Sequence, residues 1–168
     1  MKKKKISGGL RKKYFFKKDK KNLPLVSVIT VVLNNKKFLK QSINSVLKQK
    51  YKNYELIIID GQSTDGTIDI LKKNNSKIDL WISEKDRGIY DAMNKGIKLS
   101  RGSIISILNS DDIYYKNALK IATNYFNRYK YIDFLFGSVI KYKLLYGYKP
   151  WKIYWSFGFY STHSIGFF

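Results

Sequence analysis

Apolar positions along this chain fall into two alternating rhythms. Leu25 to Leu33 (LVSVITVVL) is an unbroken, β-branched run after Pro24, the pattern of a strand covered on both faces. Phe38, Leu39, Ile43, Val46 and Leu47 then recur at helical spacing, which predicts an amphipathic helix packing back onto that strand. Tyr54 to Asp60 (YELIIID) reads as a second strand, and Gln62 to Thr67 as a turn into a helix running through Leu71. Ser63, Thr64 and Asp65 are all suited to capping that helix. A third strand is expected over 79–83, a helix over 89–99, a fourth strand over 103–108 and a helix over 116–129. The order β-α-β-α-β-α-β-α predicts an α/β fold with a mostly parallel sheet flanked by helices.

Parallel sheets bind ligands at the carboxyl ends of their strands. Three of those ends carry acids here: Asp60 after the second strand, Glu84 and Asp86 after the third, and Asp111 and Asp112 after the fourth. Carboxylates gathered on one edge repel one another unless a cation or a hydrogen-bonding ligand sits among them. With only oxygen ligands on offer the cation is expected to be hard, Mg²⁺ or Mn²⁺, its shell completed by diphosphate oxygens and water. The bland reading of a single Asp in such a place is a turn or cap residue, and it fits Asp65 best. Neither G-x-G-x-x-G after the first strand nor G-x-x-x-x-G-K-[ST] occurs, so glycine-loop phosphate binding is not supported.

Composition narrows the chemistry further. The 168 residues include no cysteine, which removes thiolate metal sites, disulfides and thiol nucleophiles, and the one histidine, His163, cannot build a metal site alone. Absence of thiols suits a cytoplasmic protein. No run approaches the roughly 20 apolar residues of a membrane span, and no apolar h-region follows the basic start. The net charge of +21 is uneven: residues 1–24 hold eleven Lys/Arg against Asp19 alone. That stretch is expected to be a flexible basic arm able to touch anionic lipid at the inner face of a membrane, or simply a solvated, lysine-rich surface. No nucleic-acid motif accompanies the charge, so no specific nucleic-acid partner is expected.

Four blocks in order, Val26 to Asn35 (VSVITVVLNN), Ile57 to Thr67 (IIIDGQSTDGT), Ser83 to Gly96 (SEKDRGIYDAMNKG) and Leu108 to Asp112 (LNSDD), resemble those of family 2 glycosyltransferases, in particular the bacterial lipopolysaccharide and exopolysaccharide branch. Ser7 to Arg11 (SGGLR) is similar to the lead-in of that branch. The resemblance covers about residues 7–140. It implies a GT-A fold and inverting transfer from a nucleoside-diphosphate sugar, UDP-linked first of all, to a glycan or lipid-linked acceptor. Carried over, it places Val32 and Asn34 beside the nucleotide, Asp60 on the base, and Asp86, Arg87, Asp91 and Asn94 along the donor pocket. Asn109, Asp111 and Asp112 then occupy the metal-binding D-x-D position, with Asp111 and Asp112 toward the ion.

Two departures from the family bear on activity. Val31-Val32-Leu33 stands where the family has Pro-Thr-Tyr, so an aromatic that would stack on the base is missing. The family's general base is an acid well downstream of D-x-D, whereas the one acid here after Asp112 is Asp133, at the start of an apolar run. The resemblance therefore divides the chain into a nucleotide-sugar-binding domain over 25–140 and the start of an acceptor-binding section over 141–168. It leads us to expect a chain truncated before its base: an enzyme or its donor-binding fragment, or alternatively an inactive nucleotide-sugar-binding remnant. Tyr142, Tyr146, Tyr148, Trp151 and their neighbours would stack on acceptor sugars, insert at a membrane interface or pack internally.

Overall fold

A computed structural model describes residues 5–137 and 157–161. The strands are β1 (Ile6–Gly8), β2 (Val26–Val32), β3 (Tyr54–Asp60), β4 (Leu80–Ser83), β5 (Ile104–Ile107), β6 (Phe134–Gly137) and β7 (Phe157–Ser161). Between them lie the helices α1 (Lys36–Leu47), α2 (Thr67–Lys73), α3 (Ile89–Leu99) and α4 (Ala118–Arg128). The sheet order is β1-β4-β3-β2-β5-β7-β6. Its centre, β4-β3-β2-β5, is parallel, with Val26 opposite both Tyr54 and Ile104 and Asp60 opposite Ser83. β1 and β7 join antiparallel at either side, and β6 pairs antiparallel with β7. The α/β, mostly parallel architecture expected from the sequence is the one observed.

Every residue of β2 and β3 is buried, because helices cover both faces of the sheet. The period-2 alternation divides their side chains between two cores. Val28, Val32, Leu56 and Ile58 pack with Leu39, Ile43 and Val46 of α1 on one side, while Ile29, Val31, Ile57 and Ile59 pack with Ala92 of α3 on the other. Gly96 brings α3 down onto β2, since a Cβ there would lie 2.4 Å from Ile29 Cγ2.

The expectation of a flexible arm is corrected. Residues 5–24 are built into the domain, and residues 1–4 lie outside the described set. β1 pairs with β4, Ile6 opposite Ser83 and Gly8 opposite Trp81. After a single 3₁₀ turn (Leu10–Lys13) the chain crosses beneath the amino ends of the parallel strands. There Arg11 forms an ion pair with Glu55, which is 1% exposed, and donates to Leu99 O at 2.6 Å. Glu55 also accepts from Ser27 Oγ (2.6 Å) and from the Arg101 N–H (2.8 Å). Lys17 reaches the Tyr54 carbonyl (2.8 Å) and the Asp79 carboxylate (2.9 Å). Asp19 accepts from the Leu25 N–H and from Ser103 Oγ, both at 2.7 Å. Burial pushes the Asp79 carboxyl upward, with Lys17 opposing. The segment is a strap, held because its cations have buried carboxylate partners that lie 44 and 62 residues further along the chain.

Removing Arg11 would strand Glu55 as an unpaired buried charge. Arg11→Ala is expected to cost about 3–5 kcal/mol, the usual penalty for breaking a buried ion pair from one side. Urea denaturation reads it, and a loss below about 1 kcal/mol would mean that the strap is peripheral to the fold.

Candidate functional site

All four parallel strands end at one pole, and the loops that follow them meet there. Asp60, the last residue of β3, is fully buried. Its Oδ2 accepts from Ser83 Oγ (2.5 Å) and from the Ser63 N–H (3.1 Å), whereas Oδ1 is buried without a partner. A buried carboxylate oxygen left without a donor is costly, so this atom is a prepared place for an N–H from outside. Gly61 follows, and its missing side chain matters: a Cβ there would stand 2.7 Å from Asp86 Oδ2 and 3.3 Å from Leu33 Cδ1. The Asp86 carboxylate therefore lies directly against Gly61, one residue from Asp60.

Asp86 belongs to the loop between β4 and α3, and the loop is tied from several sides. Asp86 Oδ1 accepts from the Gly88 N–H (3.1 Å). Asp91, in the first turn of α3, accepts from the Arg87 N–H (3.0 Å), and its carboxyl sits below the usual carboxylate range because of that bond and of Lys95. Lys95 Nζ lies 3.1 Å from Asp91, 3.4 Å from Glu84 and 3.0 Å from the Lys85 carbonyl. Lys5 pairs with Glu84 at 2.9 Å. Arg87 projects its guanidinium almost wholly into solvent, with Asp91 at 3.9 Å. Asn94 stands half-buried on α3.

The loop after β5 carries Asn109 to Asp112. Asp112 is half-buried and Asp111 exposed; burial and the neighbouring Asp111 charge push the Asp112 carboxyl upward, with Asn109 donating to it. Asn109 Oδ1 is buried without a partner. Asn35 Nδ2 donates to Ser110 Oγ (2.8 Å), joining this loop to the end of β2.

Val32 is the last residue of β2, and Asn34 follows two residues later. The Val32 side chain is buried in the core beneath α1, and its carbonyl accepts from the Gly61 N–H (2.9 Å). Alternation along β2 turns Leu33, 58% exposed, outward instead. Asn34 adopts a left-handed backbone (φ 49°), and its Oδ1 accepts from the Thr64 N–H (2.7 Å) while its own N–H donates to Ser63 Oγ (2.7 Å). It holds the ends of β2 and β3 together. Asp65 is a turn residue, accepting from the backbone N–H groups of Lys36 and Thr67. The residues that sequence reasoning missed are Ser63, Ser83, Asn35 and Lys95. Each is a small or common residue whose role depends on a partner from another strand end.

A model of the glycosyl transferase family 2 matches residues 27–165. The chain belongs to this family. Among curated relatives, a family 2 chain like this one is 38% identical over 100 residues to the putative teichuronic acid biosynthesis glycosyltransferase TuaG of Bacillus subtilis, a match covering 58% of this chain and 40% of TuaG. It is 36% identical over 115 residues to the Escherichia coli UDP-Glc:alpha-D-GlcNAc-diphosphoundecaprenol beta-1,3-glucosyltransferase WfgD, covering 68% and 45% of the two chains. S. aureus TarS 1-349 in complex with UDP-GlcNAc superposes with a TM-score of 0.58 at 25% identity, covering 74% of this chain and 36% of that one. The Pyrobaculum calidifontis mannosyltransferase PcManGT, solved with GDP-Man and Mn²⁺, gives 0.54 at 21% over 62% and 32%. The fold is therefore GT-A, and the chain spans less than half the length of these relatives.

A divalent ion fits the carboxylate pole on the chemistry of its donors. Asp111, Asp112 and the orphaned Asn109 Oδ1 are all oxygen donors on one short loop, and the mutual repulsion of the two carboxylates is what a cation relieves. Among the described residues no three acidic or histidine side chains converge, so further ligands would come from substrate and water. A cleft of about 590 Å³ to one side, between α1 and residues 113–116, includes none of these carboxylates in its lining.

Ser83→Ala removes the short hydrogen bond to buried Asp60. A bond to a charged group is worth about 1.5–3 kcal/mol, and chemical denaturation is expected to register a loss of that size. An unchanged midpoint would mean that Asp60 is not held as a carboxylate acceptor.

Proposed function

We propose that the carboxylate pole binds a nucleoside-diphosphate sugar, a UDP-sugar first of all. The chain is then the donor-binding part of an inverting glycosyltransferase acting on a glycan or lipid-linked acceptor in cell-surface polysaccharide synthesis. The observation that carries this reading is the unpartnered, buried Oδ1 of Asp60. Uracil presents a ring N–H that such an oxygen accepts, and a site built to receive an N–H discriminates strongly against a base lacking it. WfgD takes UDP-Glc by its printed name and TarS is solved with UDP-GlcNAc, which supports a uridine nucleotide here.

In this reading Asp60 selects the base, while Ser63 and Ser83 hold its carboxylate in place. Asp86 reaches the ribose and sugar side of the nucleotide across Gly61, and the Lys95 ties fix the loop from which it projects. Arg87 offers a solvent-exposed guanidinium to a phosphate or sugar hydroxyl. Asn109, Asp111 and Asp112 would hold a divalent ion, Mg²⁺ or Mn²⁺. When bound, that ion supplies Lewis-acid neutralisation of the charge that develops on the leaving diphosphate. Inversion needs a base to take the proton of the attacking hydroxyl. Asp133 lies in the turn before β6, at the pole remote from Asp60, and we assign it no part in that step. The alternative reading is a chain that binds donor without transferring it. Sugar transfer to an acceptor separates the two, whereas donor binding does not. No helix among the described residues is long and apolar enough to cross a membrane; we place the chain on the cytoplasmic side, in peripheral contact with the bilayer.

Calorimetric titration of UDP with and without Mn²⁺ tests the donor site. Binding is expected to tighten at least about tenfold with the ion, a gain of about 1.4 kcal/mol, and Asp111→Ala is expected to abolish that gain. Equal affinity with and without Mn²⁺ in both proteins would overturn the metal-diphosphate reading.

A further inference from the structure

The pole opposite the carboxylates carries the reverse chemistry. The strap crosses it beneath the amino ends of β4, β3, β2 and β5, and exposes three consecutive aromatic residues: Tyr14 (87% exposed), Phe15 (54%) and Phe16 (46%). Tyr14 projects from a left-handed backbone position (φ 60°) just past the 3₁₀ turn. Lys12, Lys13, Lys18, Lys20 and Lys21 surround them and are all exposed. α4 ends beside the strap, where Asn127 Nδ2 donates to the Asn22 carbonyl (3.2 Å). Its last turn adds a chain of rings, Tyr125, Tyr129 and Tyr131, with successive centroids 6.0 Å apart and Tyr131 81% exposed, accompanied by Arg128 and Lys130.

The acids of this pole are already engaged. Glu55 and Asp79 are buried against Arg11 and Lys17, Asp19 accepts two hydrogen bonds from the sheet, and Asp133 has an interaction of its own. Lysines of one sign around exposed aromatic rings therefore face solvent with little to offset them. The Phe16 ring lies under the Arg101 guanidinium at 4.4 Å; scattered apolar residues on a surface need no explanation, but consecutive exposed rings among lysines do.

We propose that this pole is the docking surface for an anionic lipid bilayer, with Tyr14 and Phe15 entering the headgroup region and the surrounding lysines meeting acidic headgroups. Aromatic rings with one apolar side and cations at the rim suit the membrane–water interface. A single-stranded nucleic acid would instead call for rings spaced along a groove that follows a backbone, and here the three most exposed strap rings are consecutive. The inference gives a surface to the peripheral contact of the reading above, and it rests on no donor-site assignment. It also sets an orientation. The seven residues of β2 span roughly 23 Å at about 3.3 Å per residue, so a docked chain opens its carboxylate pole away from the lipid, toward acceptor ends that stand clear of the bilayer.

Co-sedimentation of the full chain with phosphatidylcholine vesicles, with and without phosphatidylglycerol, tests the proposal. Partition onto the anionic vesicles is expected to exceed that onto neutral ones by at least about tenfold, and to fall at least about tenfold in Tyr14→Ser/Phe15→Ser. Lys12→Gln/Lys13→Gln/Lys20→Gln/Lys21→Gln is expected to remove the preference for anionic lipid. UDP affinity should be unchanged in both variants, which confirms their fold and separates this result from that of the donor site. Equal partition onto both vesicle types overturns the proposal. So does an aromatic variant that partitions like the parent, with Tyr131→Ser as a second probe of the same surface. Single-stranded RNA binding that is lost in the lysine variant, together with no vesicle binding by the parent, would make this a nucleic-acid surface instead.

Discussion

The parallel run of β4, β3, β2 and β5 is the constraint from which the rest follows. Parallel strands require crossover helices, the helices cover both faces of the sheet, and the covering leaves β2 and β3 buried throughout and mostly apolar. Such strands can place polar chemistry only at their ends. Every carboxyl end then falls at the same pole, so Asp60, Asp86, Asp111 and Asp112 share that pole although they span more than 50 residues of sequence. Ser83 and Ser63 hold Asp60, and Lys95 pairs with Glu84 and Asp91, while Asp60 Oδ1 and Asn109 Oδ1 stay buried without a partner. The proposed ligand would bring an N–H to the first of these oxygens and a cation to the second.

The amino ends of the same strands obey the opposite rule. They leave buried acids, Glu55 and Asp79, which would be untenable alone, and the strap supplies Arg11 and Lys17 to meet them. The large excess of basic charge therefore has two fates. A small part is consumed in holding the fold closed, and Lys12, Lys13, Lys18, Lys20 and Lys21 stay exposed on the strap. The acids at the amino ends are paired with strap cations, whereas the carboxyl ends keep buried oxygens without partners at Asp60 and Asn109.

Much of this was legible in the residues. The apolar runs and the helical spacing of Phe38 to Leu47 led directly to the α/β fold, and the acids at strand ends to the pole at which they gather. What escaped depended on pairings that no local pattern reveals. The strap reads as a solvated lysine tail unless Glu55 and Asp79 are known to be buried next to it. Val32 and Asn34 were expected beside the nucleotide because they sit in the first block; that block does not reveal that pleat alternation turns the Val32 side chain inward or that the turn at Ser63-Thr64 engages the Asn34 side-chain oxygen. Ser83 and Lys95 carry no signal of their own in the sequence; their importance lies in which carboxylate each one touches.

The central claim is that Asp60 presents a free, buried acceptor to the base of a nucleotide. Comparing the affinities of UDP and CDP for the same chain in the presence of Mn²⁺ tests it most directly, because the two share a diphosphate and a ribose while cytosine lacks the ring N–H. The account predicts that UDP binds at least about tenfold more tightly, the order expected when a buried acceptor is left unmet. Equal affinities for the two nucleotides would contradict it, and would leave the pole as a diphosphate site with no part for Asp60 in choosing the base.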